Sequence, residues 1–194
     1  LISIFLISLI SLLLIAQPDI GQTLLVIFCW AVLIFTSGIN IYILLAIFIA
    51  GGFLLTYLVI YVPRFDYIQG RIFSFFNRET GTHNFQSDKA IESITSGGFF
   101  GKGIGEGVLK NRVPEAHTDY IISVISEEFG VVAIMLILLL FLILIYMVFK
   151  KISFETNDKA KLILIGSISL ILMQATIHIG VNIRLLPTTG MTLP

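Results

Sequence analysis

Three ionisable side chains fall within five residues in Pro114-Glu115-Ala116-His117-Thr118-Asp119, directly before a long apolar run. A carboxylate partly withdrawn from water has a raised pKa and can act as a general base. The same block also suits a helix start. Pro114 closes the loop, and Thr118 or Asp119 can cap the first turn. Both readings stay open for Asp119, with Glu115 and His117 beside it in either. Glu127 and Glu128 follow two turns on. Adjacent carboxylates project about 100° apart on a helix, so both cannot face lipid cheaply. At least one is expected to line a polar cavity or pair with an arginine or lysine of the preceding loop.

That loop supplies Arg64, Arg71, Arg78, Lys89, Lys102, Lys110 and Arg112, a few of which could bind a phosphate. The glycine-rich run from Gly97 to Gly107 invites a nucleotide-loop reading and fails it. A P-loop needs glycine where Ser96 stands and Ser or Thr where Gly103 stands. What remains is a flexible turn, or one that exposes N–H donors. Asp19, after Pro18, suits a helix cap. Ser167, Gln174, His178 and Asn182 fall on one face of the last apolar run, as interhelical hydrogen-bonding residues do. His178 has no second His or Cys at i±3 or i±4, so no metal site is expected. Cys29 lies in an apolar run and reads as a packing residue.

The elements that must position these groups are apolar helices. Mean hydropathy is +1.00 and charged residues are 12% of 194, about half the ~25% of soluble domains. Twelve basic residues balance twelve acidic ones, which excludes a nucleic-acid-binding module. Residues 1–18, 20–63, 129–149 and 162–183 carry no Asp, Glu, Lys or Arg, and 20–63 is the longest of these runs. A single helix over those 44 residues would far exceed a ~30 Å hydrocarbon core, so it must turn back, at Thr36-Ser37-Gly38-Ile39-Asn40. The reading is an all-α polytopic membrane protein of about five transmembrane helices, one membrane domain over 1–194. Residues 1–63 hold three spans, the first partial. Residues 64–118 form a long loop, and 119–194 hold two spans and the start of the next outer loop. Phenylalanines at 65, 73, 75, 76, 85, 99 and 100 predict short interfacial helices in the loop, with aromatic rings at headgroup depth. The chain starts at Leu1 inside an apolar stretch, as expected of an internal piece of a larger protein. Lys150, Lys151, Lys159 and Lys161 flank the connection 150–161 and mark it as cytoplasmic, which puts loop 64–118 outside.

Taken together the motifs resemble the FtsW/RodA/SpoVE (SEDS) family of bacterial cell-wall proteins. The matching pieces are Gln17-Pro18-Asp19-Ile20-Gly21, Arg71 with Phe75 and Asn77, Phe85-Gln86, and Ser96-Gly97-Gly98 followed by Gly101-Lys102-Gly103-Ile104-Gly105. Then come Pro114 to Ile121, Glu127-Glu128-Phe129-Gly130, Gln174, and Leu186 to Pro194. Ala116 with Pro187-Thr188 looks more like the division member FtsW than like RodA. His178 stands where asparagine is usual, and Arg184 where glycine is common.

The resemblance implies a ten-helix fold, of which this is roughly helices five to nine. It implies a peptidoglycan glycosyltransferase of the bacterial cytoplasmic membrane that polymerises lipid II during division. The partners it implies are a class B penicillin-binding transpeptidase and other division proteins. The family's essential aspartate falls on Asp119. Arg71, Gln86, Lys102, Arg112, Glu115 and His117 are then substrate-binding candidates, and Asp19, Glu127, Glu128 and Gln174 structural or cavity residues. No residue pattern calls for a cofactor, and a divalent cation beside the pyrophosphate is compatible with it. Two other functions share these residues, a lipid II transporter and a non-catalytic scaffold. A transporter favours ionisable groups at mid-bilayer, whereas here the helix centres are nearly charge-free.

The topology is open to test. Glu106→Cys, in a Cys29→Ser background, is expected to react with a membrane-impermeant thiol reagent in cells with a permeabilised outer envelope. Reaction only after lysis of the cytoplasmic membrane reverses the orientation.

Overall fold

The structure, a computed structural model, describes residues 2–76, 82–108 and 116–194. Among them it contains seven α-helices and no strand. These are α1 (Ile2–Ala16), α2 (Ile20–Thr36), α3 (Ile41–Tyr61), α4 (Asp66–Phe76), α5 (Thr82–Gly97), α6 (Ile121–Phe154) and α7 (Asp158–Asn182), with a 3-10 turn at Pro63–Phe65. Five of the helices are apolar, in the expected places. Of these, α3, α6 and α7 are long and apolar enough to cross a membrane, whereas α1 and α2 are shorter, at 15 and 17 residues.

The long apolar stretch turns back where its composition predicts. Helix α2 ends at Thr36, Gly38 adopts φ 86°, and the Asn40 side chain accepts from Tyr42 N at 3.0 Å to start α3. Asp19 Oδ1 caps α2 by accepting from Gln22 N at 2.9 Å. Helix α2 packs between α1 and α7. Two carbonyls near helix C-termini find side-chain donors on α4. Tyr67 Oη donates to Ile15 O at 3.2 Å, and Gln69 Nε2 to Val59 O at 2.6 Å.

The buried core lies at the loop end of the bundle. Leu25 of α2, Ala90 of α5, Ala116, Tyr120 and Val124 at the start of α6, Ile177 and Val181 of α7, and Met191 form one cluster. Along the apolar length of α6 no residue is buried, so that face is left for lipid or for other helices.

Helix α5 departs from the expected interfacial role. It buries Ser87, Ala90, Ser93 and Gly97 along one stripe and packs mainly on α6. The stripe consists of small residues, so the two backbones come very close. A Cβ on Gly97 would stand 2.0 Å from Ser126 O.

Helix α6 is broken at Gly130, with φ 78° and ψ −175°, a region open essentially to glycine alone. The glycine run 98–103 mends the break. Lys102 N and Gly103 N donate to Glu127 O and Glu128 O, at 2.9 and 3.1 Å. Val131 N and Val132 N donate to Gly98 O and Phe99 O, at 3.0 and 3.3 Å. The run is therefore neither a loose turn nor an open set of donors, since these N–H groups take over from a helix ladder. Beyond the break, residues 131–154 rise about 36 Å, enough for a ~30 Å core.

Gly130→Ala puts a Cβ 2.2 Å from Phe99 O and forces a non-glycine residue into that backbone region. A loss of about 3 kcal/mol or more is expected. Gly51→Ala adds the same methyl inside α3, where nothing lies within 4 Å, and is expected to be neutral or stabilising by up to ~1 kcal/mol. Thermal melts of the two variants in detergent check the contrast, and equal melts contradict it.

Candidate functional site

Asp119 sits in the turn 116–120 that leads into α6. Burial pins the turn on both sides of it. Ala116 and Tyr120 are 0% and 1% exposed, and the Tyr120 hydroxyl lies 3.4 Å from Ser87 Oγ on α5. His117 and Thr118 are exposed and Asp119 is half-buried. Neither Thr118 nor Asp119 takes the cap position expected of it. Tyr120 occupies that position and makes no side-chain cap bond. The capping acceptor comes instead from α7, where Asn182 Oδ1 accepts from Ser123 N at 3.2 Å and Ser123 Oγ at 2.7 Å.

Asn182 is fully buried, and its Nδ2 reaches Asp119 O at 3.0 Å and His178 O at 2.8 Å. His178, one turn back on the same helix, sets Nε2 3.3 Å from Asn182 Nδ2 and Nδ1 2.8 Å from Met191 O. Asp119 is thus held through its backbone by a network that reaches residues 187–194.

Those last residues fold back along α7. The helix ends in a reversal with Arg184 at φ 58°, where Arg184 N donates to Val181 O and Leu185 N to Gly180 O. This left-handed position explains why glycine suits it, and the Arg184 side chain pairs with Asp88 of α5. The returning chain is irregular, yet its carbonyls are engaged. Thr188 O accepts from Arg71 Nη1 at 3.1 Å, Met191 O faces His178, and Thr192 O accepts from Gln174 Nε2 at 3.0 Å. Irregular backbone beside membrane helices needs such partners. Met191 is buried so close to Gly21 that a Cβ there would stand 2.7 Å from its Sδ.

The carboxylate of Asp119 approaches the same segment. Its Oδ2 lies 3.9 Å from the place a Cβ would take on Gly190, whose φ is 73°. Asp119 and Arg71, 48 positions apart in sequence, therefore border the two ends of one three-residue stretch, 188–190. Tyr67, one turn before Arg71 on α4, belongs to the same neighbourhood. Burial pushes its phenol above the ordinary value, the Arg71 charge pulls it down, and Asp19 raises it. The sequence reading missed Tyr67. Its i, i+4 spacing from Arg71 on a helix was the available signal.

Lys102, Glu127 and Glu128 form a second group two turns further along α6. Glu127 is 2% exposed and pairs with Lys102 Nζ at 2.8 Å, the pairing with a loop cation anticipated above. Glu127 Oε2 and Glu128 Oε1 both come within 3.2 Å of the Cβ position of Gly107. A buried carboxylate left without its cation costs several kcal/mol, so the ammonium of Lys102 is committed to the α6 break. Gln86 is half-buried on α5, and Gln174 is spent on Thr192 O. Arg112 and Glu115 lie outside the described residues.

A bundle of apolar helices, with a half-buried carboxylate and a guanidinium gathered at one end, defines an integral membrane protein with a polar site at its boundary. The chain belongs to the FtsW/RodA/SpoVE family, described as a cell cycle protein, whose model matches residues 1–194. It is 36% identical over 184 residues to a protein of Caulobacter vibrioides named "Probable peptidoglycan glycosyltransferase FtsW", covering 94% of this chain and 46% of that one. A protein of the same name from Francisella salina is 37% identical, with 98% and 48% covered. In structure the chain is similar to part of a solved complex described as "Structural coordination of polymerization and crosslinking by a peptidoglycan synthase complex". The TM-score is 0.77 at 25% identity, with 99% of this chain and 53% of that one covered. The chain spans about half the length of the curated relatives it matches.

The Asn182 network makes a sharp prediction. Asn182→Asp keeps the shape and exchanges the Nδ2 donor for an oxygen facing Asp119 O and His178 O. Each buried acceptor left unsatisfied costs about 1–3 kcal/mol, so a clear fall in the melting temperature is expected. An unchanged melt means that the network contributes nothing to stability.

Proposed function

We propose that this chain is the part of a peptidoglycan glycosyltransferase that carries its general base, Asp119, and that the whole protein polymerises lipid II. The observation that carries the reading is the meeting of Asp119 and Arg71 on residues 188–190, at the loop end of a membrane bundle. Lipid II presents its sugar at a membrane surface, tethered through pyrophosphate to a polyprenyl chain. That substrate needs its reactive groups at such a boundary and an apolar groove below them.

In the reaction, the acceptor 4-hydroxyl oxygen bonds to the anomeric carbon of the donor. The bond from that carbon to the pyrophosphate oxygen breaks, and Asp119 takes the hydroxyl proton. Direct displacement with one carboxylate activating the nucleophile inverts the anomeric centre. Pyrophosphate is a good leaving group, so the leaving side needs positive charge more than an acid. Arg71 borders the same segment and suits that role, whereas Lys102 is held by Glu127. In this reading loop 64–118 lies on the outer side of the bacterial cytoplasmic membrane, and the partner is a class B penicillin-binding transpeptidase. The names of the curated relatives and the likeness to a peptidoglycan synthase complex support this reading.

Asp119→Asn tests it in the full-length protein with its transpeptidase partner. The anchoring through the backbone carbonyl is kept. Polymerisation of lipid II is expected to fall at least ~10²-fold, within the 10²–10⁴ typical of general base catalysis, with an unchanged melt. Normal polymer with an unchanged melt removes Asp119 from catalysis. Lipid II translocation retained without polymer in the parent protein favours transport instead.

A further inference from the structure

The buried imidazole of His178 has no part in the reaction as derived, yet it touches the network that holds Asp119. Its ionisation state follows from hydrogen-bond polarity. Ser123 N is a donor, so the Asn182 atom facing it is the oxygen. Asp119 O and His178 O are acceptors, so the atom facing them is the nitrogen. Three backbone groups thus fix which way the amide of Asn182 points. His178 Nε2 also faces that NH₂ group, whose two hydrogens go to the two carbonyls, and a contact of 3.3 Å with a donor group favours the unprotonated nitrogen over an N–H there. The ring proton then sits on Nδ1, where Met191 O accepts it.

We propose that neutral His178, in the Nδ1–H tautomer, is a positioning residue for Asp119, acting through the amide of Asn182. The proposal rests on the reading of Asp119 as the base. Protonation at Nε2 sets two donors against each other across the 3.3 Å contact with Asn182. If the amide flips to relieve this, its NH₂ faces Ser123 N–H, and its oxygen faces the carbonyls of Asp119 and His178. Both arrangements break a buried contact at the root of the Asp119 turn.

Among the described residues, the charged groups on the neighbouring elements make the following contacts. Helix α2 has no Asp, Glu, Lys or Arg, and Asp19 ahead of it caps Gln22 N. From α5, Asp88 pairs with Arg184 just beyond α7, and Lys89 with Glu92. Of the acids near the start of α6, Asp119 meets the network through its carbonyl and Glu127 pairs with Lys102. Tyr120, also there, lies against Ser87, and residues 187–194 carry no charge.

Glutamine places an amide oxygen near the Nε2 position and cannot protonate, whereas leucine offers no acceptor. The test uses the full-length protein with its transpeptidase partner and lipid II. His178→Gln is expected to keep kcat within a few-fold of the parent and to lose an acid-side fall in kcat that the parent shows. His178→Leu is expected to lose on the order of 10²-fold in kcat, as for a misplaced catalytic group. Nitrogen-15 spectra of labelled histidine, with the His178 signal assigned by its absence from the Gln variant, are expected to show the neutral Nδ1–H form at pH 7.5. An Nε2–H tautomer or an imidazolium at that pH overturns the proposal. So do superimposable pH profiles of parent and Gln variant, or a folded Gln variant that is inactive. If the Gln variant does not fold, the spectrum, with the His178 signal assigned by its absence from the Leu variant, decides alone. Failure of the base reading shows separately, as an active Asp119→Asn protein, and leaves the tautomer result standing.

Discussion

One side-chain amide joins four parts of this molecule. Asn182 engages an N–H and a serine hydroxyl at the start of α6, a carbonyl of the turn before it and a carbonyl of α7, while fully buried. A polar group left unmet at such a buried place costs about 1–3 kcal/mol, a large share of the ~5–15 kcal/mol by which a domain is stable. Through His178 the same amide reaches Met191, and Met191 in turn fills the space that Gly21 leaves open on α2. The starting angle of α6, the place of Asp119 and the course of the returning chain are therefore set together. Removing the amide affects all three.

The carboxylates divide according to their surroundings. Glu127 is buried, lies against an ammonium and acts as part of the framework. Asp119 is only half-buried, and its backbone rather than its side chain takes up the stabilising contact from α7. Its main chain is thereby held, and its Oδ2 lies beside the glycine turn at Gly190.

The apolar runs, the turn at Thr36–Asn40 and the cap at Asp19 were legible because each signal is local. A charge-free run, a Gly-Ile-Asn turn and an Asp after a proline between two apolar runs carry their meaning within a few positions. What stayed hidden depends on a partner distant in sequence. Gly97 to Gly107 reads as flexible until α6 is seen to be broken opposite it. The small stripe of Ser87, Ala90, Ser93 and Gly97 carries no apolar pattern and reveals a contact face only when packed. The sequence around Asn182 suits hydrogen bonding between helices, but nothing in its neighbourhood says that it caps another helix. Residues 119 and 128 illustrate both cases, since their chemistry is plain in the sequence and their surroundings are not.

The bonds across the break at Gly130 run in both directions. Segment 98–103 donates to the carbonyls before the break and accepts from the amides after it. A glycine between two helical pieces would ordinarily be a hinge. Here both pieces are fastened to the same short strap, which works as a splint and stiffens the joint against bending. A sideways push on the membrane-crossing part of α6 is therefore carried straight into the end of α5. From there it passes through the Ser87–Tyr120 contact to the turn that bears Asp119. The long helix is mechanically a crank whose short arm ends at the candidate base.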